Sequence, residues 1–214
     1  MYGIWLSKQT IGICATQRIT SQILGTADDR CPNCLQGPER SCHLNRCIDP
    51  GRTRLFDSEV EELRLWMADT TDNELRYWLI HYLRLRGECT MCSLGDMSGS
   101  IKEIAQDIDL IGWVDIMHGR LPKSLHTYQN TYCRMRNSRR TGTDWMKQLT
   151  TKLLNISHSQ WLYRNFSLHD KIKGHLQLSH RAAILEEAAK LATTRPEDIP
   201  DESRFLLEID LFKP

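Results

Sequence analysis

The segment "RCPNCLQGPERSCHLNRCIDP", residues 30–50, concentrates sulfur in a mostly polar stretch. It holds four of the chain's eight cysteines and one histidine. So polar a stretch, which also contains Pro and Gly, has few apolar side chains with which to build a core. In a reducing compartment, clustered cysteines indicate metal binding or core packing and not a set of disulfides. The segment is therefore predicted to be organised by a bound metal ion.

Four residues of this segment, Cys31, Cys34, His43 and Cys47, follow the zinc-knuckle spacing C-x2-C-x8-H-x3-C. Zinc takes four nitrogen or sulfur ligands in a tetrahedron, which two short pairs joined by a flexible loop can supply. The Pro-Asn pair after Cys31 suits a tight turn, and His43 and Cys47 are spaced as on one helical turn. Zn²⁺ is the predicted cofactor. Cys42 is a surplus thiol that could replace His43 as the fourth ligand.

The other cysteines have simpler interpretations. Cys89 and Cys92 form a second C-x2-C, but no second ligand pair lies nearby and the surrounding residues form a Gly/Ser-containing linker. We predict that they are free thiols at or near the surface, with a redox or metal role as the alternative. Cys14 and Cys133 lie on helical patterns and are predicted to be core residues.

Length and hydropathy suit one compact domain with a small appendage. The chain has 214 residues, of which 40% are hydrophobic, and no apolar run reaches the roughly eighteen residues of a membrane span. We therefore expect an intracellular protein, nuclear or cytoplasmic, without a membrane partner. For residues 1–27 an amphipathic helix, with Ile11, Ala15, Ile19 and Ile23 or Leu24 on one side, is favoured over a transit peptide.

Apolar residues recur at helical spacing over most of the chain, with no internal repeat and no alternation of strands and helices. The predicted fold is all-α, with a small C-C-H-C zinc knuckle near the N-terminus. Its predicted domains are an N-terminal helix with the knuckle, residues 1–56, and a helical domain, residues 57–214. Six helices are predicted after the knuckle. The first begins at Asp57 or Ser58, after a loop "DPGRTR", and the second begins at Asp72. The third and fourth span 101–118 and 122–137, the fifth runs from Thr143 or Asp144 to Phe166, and the last begins at Ser179.

Charge is unevenly distributed, although the net charge is only +1. Residues 116–185 carry 12 Lys/Arg against 2 Asp/Glu, whereas residues 1–115 carry 12 against 17 and residues 186–214 carry 4 against 8. No acidic residue lies between Asp115 and Asp144. This basic segment is typical of a surface that binds a polyanion. The candidate nucleic-acid-binding residues are Arg120, Lys123, Arg134, Arg136, Arg139, Arg140 and Lys147.

The arrangement of these charges favours phosphate binding. On the predicted helix 122–137 they lie away from an apolar side formed by Leu125, Tyr128, Tyr132 and Met135, so they should face solvent together. The stretch "RMRNSRRTGT" adds neutral donors just before a helix N-terminus, which attracts anions. The alternative is a basic face that docks on the acidic helices 57–74 of the same chain.

Several stretches occur in a characteristic order: "CPNC", "CHLNRC" with "DPGR" after it, an acidic helix that contains Trp, "SRRTGTDWMKQL", Trp161 with "YRN" and "SLHD", and "PEDIPDESRFLLEID". In this order they resemble the tail that follows the reverse transcriptase in retroelement-encoded proteins of microbial eukaryotes. That tail is similar in plan to the end of non-LTR retrotransposon proteins, where a C-C-H-C knuckle lies beyond the polymerase. The resemblance covers most of the chain. It implies binding of template or target nucleic acid through a zinc knuckle, with Cys31, Cys34, His43 and Cys47 as its ligands.

The chain also departs from that family. It contains no Tyr-x-Asp-Asp polymerase motif, so it cannot copy nucleic acid. Some related tails end in an endonuclease with a Pro-Asp and an Asp/Glu-x-Lys motif. Pro200 and Asp201, followed by Glu208 and Asp210, resemble that motif, but the lysine is missing, and two metal-binding carboxylates without it would polarise a phosphate poorly.

The predicted function is therefore that of a non-enzymatic, zinc-stabilised helical module that binds DNA or RNA. Other retroelement-encoded proteins are the candidate protein partners, and no small-molecule substrate is evident. Two alternatives come from different classes: a remnant of a metal-dependent endonuclease, and a protein-interaction scaffold that does not bind nucleic acid.

Overall fold

A computed structural model describes residues 3–10 and 14–168. These residues form eight α-helices and no β-strand, with one isolated antiparallel bridge between Arg30 and Pro38. They belong to one compact unit, which ends at Leu168. The prediction of an all-α fold with a Cys-Cys-His-Cys cluster near its start is confirmed. The helices are α1 (Gly3–Thr10), α2 (Gln17–Leu24), α3 (Pro50–Ala68), α4 (Asn73–Arg84), α5 (Gly99–Ile111), α6 (Trp113–Met117), α7 (Lys123–Met135) and α8 (Gly142–Phe166).

The longest helix, α8, packs against α3, α6 and α7, while α4 packs against α3, and α5 packs against both α6 and α7. The core between them is apolar, as expected from the helical spacing of these residues. Its fully buried side chains include Phe56, Val60, Leu63, Met67, Leu75, Leu79, Leu83, Ile101, Ile104, Ile108, Ile116, Leu125, Trp145, Leu149, Leu153 and Ile156. Among the helices of the described ranges, none combines the length and the apolar character needed to cross a bilayer.

Helix α3 begins at Pro50, whereas we predicted a loop there and a helix start at Asp57 or Ser58. The reason is a local cap: the carboxylate of Asp49 accepts a hydrogen bond from the Arg52 amide at 3.0 Å. Pro50 occupies the first turn, where its missing N–H costs nothing. The predicted domain boundary between residues 56 and 57 therefore falls within α3. The predicted helix after Ser179 lies outside the described residues.

Two other predicted helices are interrupted. The helix predicted over 101–118 is broken at Gly112, whose φ of +87° separates α5 from α6. The single amphipathic helix predicted near the N-terminus is replaced by α1 and α2. Two members of its apolar side are solvent-exposed, Ile23 at 77% and Leu24 at 68%. The apolar spacing of residues 15–24 therefore does not mark a buried helix face, and Ile11 lies outside the described residues.

Helix α7 buries only part of the predicted side, since Leu125 lies in the core and Tyr128 packs against it. Its fully buried residues are Leu125, Gln129 and Cys133, spaced four apart, whereas Met135 is 73% exposed. Gln129 can be buried because its amide group donates a hydrogen bond to the Thr70 carbonyl at 2.6 Å. The predicted solvent exposure of the arginines on this helix is nevertheless found, since Arg134 and Arg136 are both exposed.

The Asp49 cap predicts a specific effect on stability. Replacing Asp49 by Ala should lower the free energy of unfolding by about 1 kcal/mol, because the first-turn amides of α3 lose their acceptor. The matched control is Asp57→Ala, at the start that the sequence predicted. Asp57 is itself exposed, caps no helix end and makes only a long contact of 3.8 Å with Arg86, so its loss should cost less than the loss of Asp49. Urea denaturation of both variants measures the difference, and equal losses would contradict the observed cap.

A cavity of about 260 Å³ between α3 and α8 contains a half-buried carboxyl, that of Glu59. Burial, aided by the charge of Glu62, raises the pKa of Glu59 from 4.5 to about 7, although a hydrogen bond from Ser159 opposes the shift. The other carboxyl oxygen, Oε2, has no hydrogen-bond partner within the described residues. Lys152 and His158 line the same cavity. The folded protein therefore stabilises the protonated form of Glu59 relative to the ionised form.

This environment predicts a pH-dependent contribution to stability. Because the pKa of Glu59 is raised in the folded state, its contribution is fully present below about pH 4.5 and is lost as the pH rises towards 7. Replacing Glu59 by Gln should remove that loss, so the variant should gain stability relative to wild type between pH 5 and 8. Thermal melts of both proteins across this range test the prediction. A stability difference that does not change with pH would contradict it.

Candidate functional site

The four predicted ligands lie together, with the ligand atoms of Cys31, Cys34, His43 and Cys47 all within 4.8 Å of one another. The Sγ atoms of Cys31 and Cys47 are 3.7 Å apart, and Cys34 Sγ lies 3.4 Å from His43 Nε2. A tetrahedral zinc ion would space its sulfur and nitrogen ligands about 3.4–3.8 Å apart. The four residues can thus hold one metal ion, in a geometry compatible with zinc. The surplus thiol, Cys42, is not part of the group.

The backbone around the first two ligands forms a tight turn. The Leu35 amide donates to the Cys31 carbonyl at 2.8 Å, and the Cys31 amide donates to the Gly37 carbonyl at 3.1 Å. Leu35 and Gly37 both have positive φ, +58° and +56°, which lets the chain reverse within a few residues. The bridge between Arg30 and Pro38 closes this turn.

The other two ligands come from the segment just before α3. His43 ends a 3₁₀ turn, Ser41–His43, and the Arg46 amide donates to the His43 carbonyl at 3.0 Å. Cys47 follows this turn and precedes the Asp49 cap of α3. The two ligands thus lie on successive tight turns and not on one α-helical turn, but their side chains still meet.

The electrostatics of the sulfur cluster favour a cation. The pKa of the Cys31 thiol is lowered to about 3, chiefly by a hydrogen bond from Cys47 and also by His43 and the amides of Asn33 and Cys34, although burial opposes the shift. The pKa of Cys47 is raised because its proton is the one shared with Cys31. The two buried sulfurs, 3.7 Å apart, thus compete for their protons. A divalent cation would displace these protons and be bound by the thiolates.

A buried ion pair attaches this segment to the end of α8. Arg164 donates to the Glu39 carboxylate at 2.9 and 3.2 Å, and the side chains are 3% and 0% exposed respectively. The Gln17 amide of α2 also donates to Glu39, at 2.6 Å. Cys31 Sγ lies 3.8 Å from the same carboxylate. Glu39 thus joins the ligand turn, α2 and α8 in one contact.

Two further buried contacts fix the segment between α3 and α8. The guanidinium of Arg52, fully buried in the first turn of α3, donates to the Leu44 carbonyl and, at 3.3 Å, to Gln160 Oε1. Asn45 Nδ2 donates to Ser157 Oγ at 3.0 Å. Sequence reasoning missed Arg52 because it placed this residue in a loop. The Asp-Pro pair just before it, which is typical of a helix start, is the signal that could have placed it.

The remaining cysteines match their predicted environments. Cys14 and Cys133 are buried core residues. Cys89 is half-buried and Cys92 is exposed, and both are free thiols. Neither belongs to a possible metal-binding group within residues 3–10 and 14–168.

A second feature is a groove of about 740 Å³ between the end of α3, the end of α7 and the start of α8. We call it the arginine groove, because Arg136, Arg139 and Arg140 line it. Of the seven predicted nucleic-acid-binding residues, the structure brings these three together. Its other lining residues are Leu65, Trp66, Ala68, Asp69, Thr70, Tyr132, Cys133, Ser138 and Trp145.

The three groove arginines have no carboxylate within ion-pair distance in the part of the chain that the structure describes. Arg136 donates to the Tyr132 hydroxyl at 3.3 Å, and its guanidinium lies 5.7 Å from the centre of that ring. The predicted alternative, in which the basic face docks on the acidic helices 57–74, is not seen in these ion pairs. Among the described residues that line the groove, Asp69 is the one acid, and it is exposed.

Two acidic residues of α3, Asp57 and Glu61, are instead paired within the first half of the chain. Glu61 accepts hydrogen bonds from Arg64 at 2.7 Å and from Arg84 at 2.6 Å. Asp57 lies 3.8 Å from Arg86. These ion pairs involve no residue of the basic segment 116–185.

The other four predicted residues lie outside the groove. Arg120 pairs with Asp115 at 3.2 Å. Lys123 and Arg134 are exposed on α7. Lys147 is exposed on α8 and lines a shallower surface with His126 and Thr143.

The N-terminus of α8 is already capped. Thr141 Oγ1 accepts from the Asp144 amide at 3.1 Å, and the Asp144 carboxylate accepts from the Thr141 amide at 3.3 Å. The carboxylate of Asp144 thus takes the position that an external anion would occupy at this helix end. The anion-binding helix terminus that we predicted here is therefore not available, and phosphate binding would depend on the arginines.

Comparisons of the chain with protein-family models, with curated proteins and with solved structures give no match. The residues of the endonuclease alternative, Pro200, Asp201, Glu208 and Asp210, lie outside the described residues.

The cluster geometry predicts which cysteines hold the metal. The full chain should purify with about one metal ion per molecule, and Cys34→Ser should lose it, because three ligands hold the ion far less tightly than four. The matched control is Cys42→Ser, next to a ligand but outside the group, which should retain the ion. Elemental analysis and thermal melts of the three proteins measure the effect. If Cys34→Ser retained the metal and Cys42→Ser lost it, the proposed ligand set would be wrong.

Proposed function

We propose that the protein is a zinc-stabilised, non-enzymatic helical module that binds nucleic acid through the arginine groove. The observation that carries this proposal is the grouping of Arg136, Arg139 and Arg140 in one groove without an ion-pair partner in residues 3–10 and 14–168. Guanidinium groups bind phosphate oxygens with paired hydrogen bonds, and they retain their charge at any physiological pH. Unpaired arginines on a concave surface therefore favour a phosphate backbone as their ligand.

The metal in this proposal is zinc, with a structural role. Three thiolates and one imidazole favour zinc over magnesium or calcium, which prefer oxygen ligands. A set of four protein ligands leaves no open position for catalysis. Along α8, Arg164 at the metal-binding segment and Trp145 at the groove are about 28 Å apart, at 1.5 Å per residue. Zinc would thus position one end of α8 while nucleic acid binds near the other.

The resemblance to the tails of retroelement reverse transcriptases supports the same function, since it implies binding of a template or target. It assigns that binding to the knuckle itself, whereas two of the ligands, Cys31 and Cys47, are fully buried. We therefore assign phosphate contact to the groove. Other retroelement-encoded proteins stay the proposed protein partners, in an intracellular setting.

Binding by the groove predicts a strong salt dependence. Affinity for a mixed-sequence DNA or RNA should fall steeply between about 50 and 300 mM salt, because bound phosphates release counterions. Replacing Arg139 and Arg140 together by Ala should weaken binding and reduce the slope of log K against log salt by about 1.5. Fluorescence anisotropy titrations at several salt concentrations measure both effects.

The matched control is the double variant Arg54→Ala with Lys102→Ala. It removes the same two positive charges from exposed positions outside the groove. Its affinity and slope should stay close to those of wild type. Equal losses from both double variants, or an affinity that does not change with salt, would count against the proposal.

A further inference from the structure

We propose that the arginine groove binds a single-stranded segment, with phosphates against the arginines and an unpaired base against the opposite wall. This inference rests on the proposed function and adds the class of nucleic acid. It follows from the difference between the two walls of the groove, one cationic and one apolar.

The cationic wall comes from the end of α7 and the residues that follow it. Arg136, Arg139 and Arg140 lie on this side, with Ser138 beside them. Ser138 Oγ accepts a hydrogen bond from the Arg140 amide at 3.1 Å, which helps to fix this short connection. All three arginines are exposed. Phosphate oxygens are the ligands that suit such a wall.

The opposite wall is the last turn of α3 and is mainly apolar. Leu65, Trp66 and Ala68 line it, and Leu65 is 57% exposed even though it is a large apolar side chain. The Trp66 indole stacks on Trp145 with ring centres 5.9 Å apart and donates to Gln148 Oε1 at 3.2 Å. The Lys152 ammonium also lies 5.4 Å from the centre of the Trp66 ring. A base can contact the exposed Leu65 directly, and it can contact the indole where it displaces the Lys152 side chain.

Asp69 favours one orientation of a strand bound in the groove. Its exposed carboxylate lies on the α3 side and would repel a phosphate there. The same carboxylate can accept hydrogen bonds from the amino groups of bases. The phosphates are thereby directed to the arginine wall and the base to the α3 wall.

An apolar wall within a basic groove favours single strands over duplexes. In a duplex the base faces are stacked on one another, so only phosphates, sugars and base edges reach a protein surface. In a single strand the base faces are accessible and stack on aromatic side chains or on arginine planes. A volume of about 740 Å³ also lies within the range of roughly 300–1,000 Å³ typical of sites for small molecules. It is therefore large enough for a base to enter.

The test compares matched single-stranded and duplex probes with the full chain. Fluorescence anisotropy would measure binding to a labelled single strand of about 12 nucleotides and to a hairpin duplex with the same number of phosphates. DNA and RNA versions of each probe show whether the sugar matters, and preferential binding of a single strand with either sugar supports the proposal. Wild type should bind the single strand more tightly than the hairpin.

The variants address the apolar wall directly. Trp66→Leu should weaken single-strand binding by about tenfold, the size of one lost stacking contact, and should leave hairpin binding nearly unchanged. Trp66→Phe keeps an aromatic ring and should bind nearly as well as wild type. Because Trp66 packs on Trp145, Leu65→Ala serves as a second variant that removes only exposed surface. It should weaken single-strand binding several-fold, and thermal melts would confirm that each variant is folded.

The outcomes separate the two proposals. If Arg139→Ala with Arg140→Ala weakens both probes while the Trp66 and Leu65 variants bind like wild type, the base contact is wrong and the proposed function stands. A hairpin bound as tightly as the single strand would likewise overturn the preference alone. If neither probe binds, or if the arginine variant has no effect, the proposed function fails and this inference fails with it.

Discussion

The buried ion pair between Glu39 and Arg164 connects the two parts of this protein that depend on each other most. Glu39 lies in the metal-binding segment and Arg164 near the end of α8, and both side chains are removed from water. Burying either charge alone would cost several kcal/mol, and losing one partner of such a pair typically costs about 3–5 kcal/mol. The pair therefore disfavours any misaligned packing in which one of the two charges stays buried without the other. The ion pair thus specifies the position of the segment on α8.

The ligand cluster and the ion pair constrain the same segment in different ways, one within the segment and one between the segment and α8. The segment has few apolar side chains, so it cannot hold its own shape by burying surface. A metal ion bound by the four ligand atoms, which lie within 4.8 Å of one another, would provide an internal constraint. Glu39, Asn45 and Arg52 provide the external one, through contacts to α8. Because α8 also contributes Trp145 to the arginine groove, order in the metal-binding segment can influence the groove through one rigid helix.

The sequence was most informative where the relevant residues are neighbours in the chain. The ligand spacing of Cys31, Cys34, His43 and Cys47 and the Asp72 cap of α4 are local patterns, and both are found as predicted. Helix α3 begins before its predicted start because the Asp49 cap and Pro50 outweigh the loop-like composition of the residues that follow. On α7, Leu125 and Tyr128 pack in or against the core as predicted, but Gln129 is buried as well, through a bond to Thr70. No local pattern reveals such a partner.

The groove could not be predicted in full for a related reason. The arginines were visible as a run in the sequence, but the opposite wall comes from α3, which only the tertiary fold brings alongside. Net charge was equally uninformative, since the chain totals +1. The electrostatic potential at the groove depends instead on which charges are paired locally. Glu61, for example, is neutralised by Arg64 and Arg84. At physiological salt, charges more than about 8–10 Å away are largely screened. A nearly neutral protein can therefore present a strongly cationic groove to a polyanion, provided that its acidic residues are occupied elsewhere.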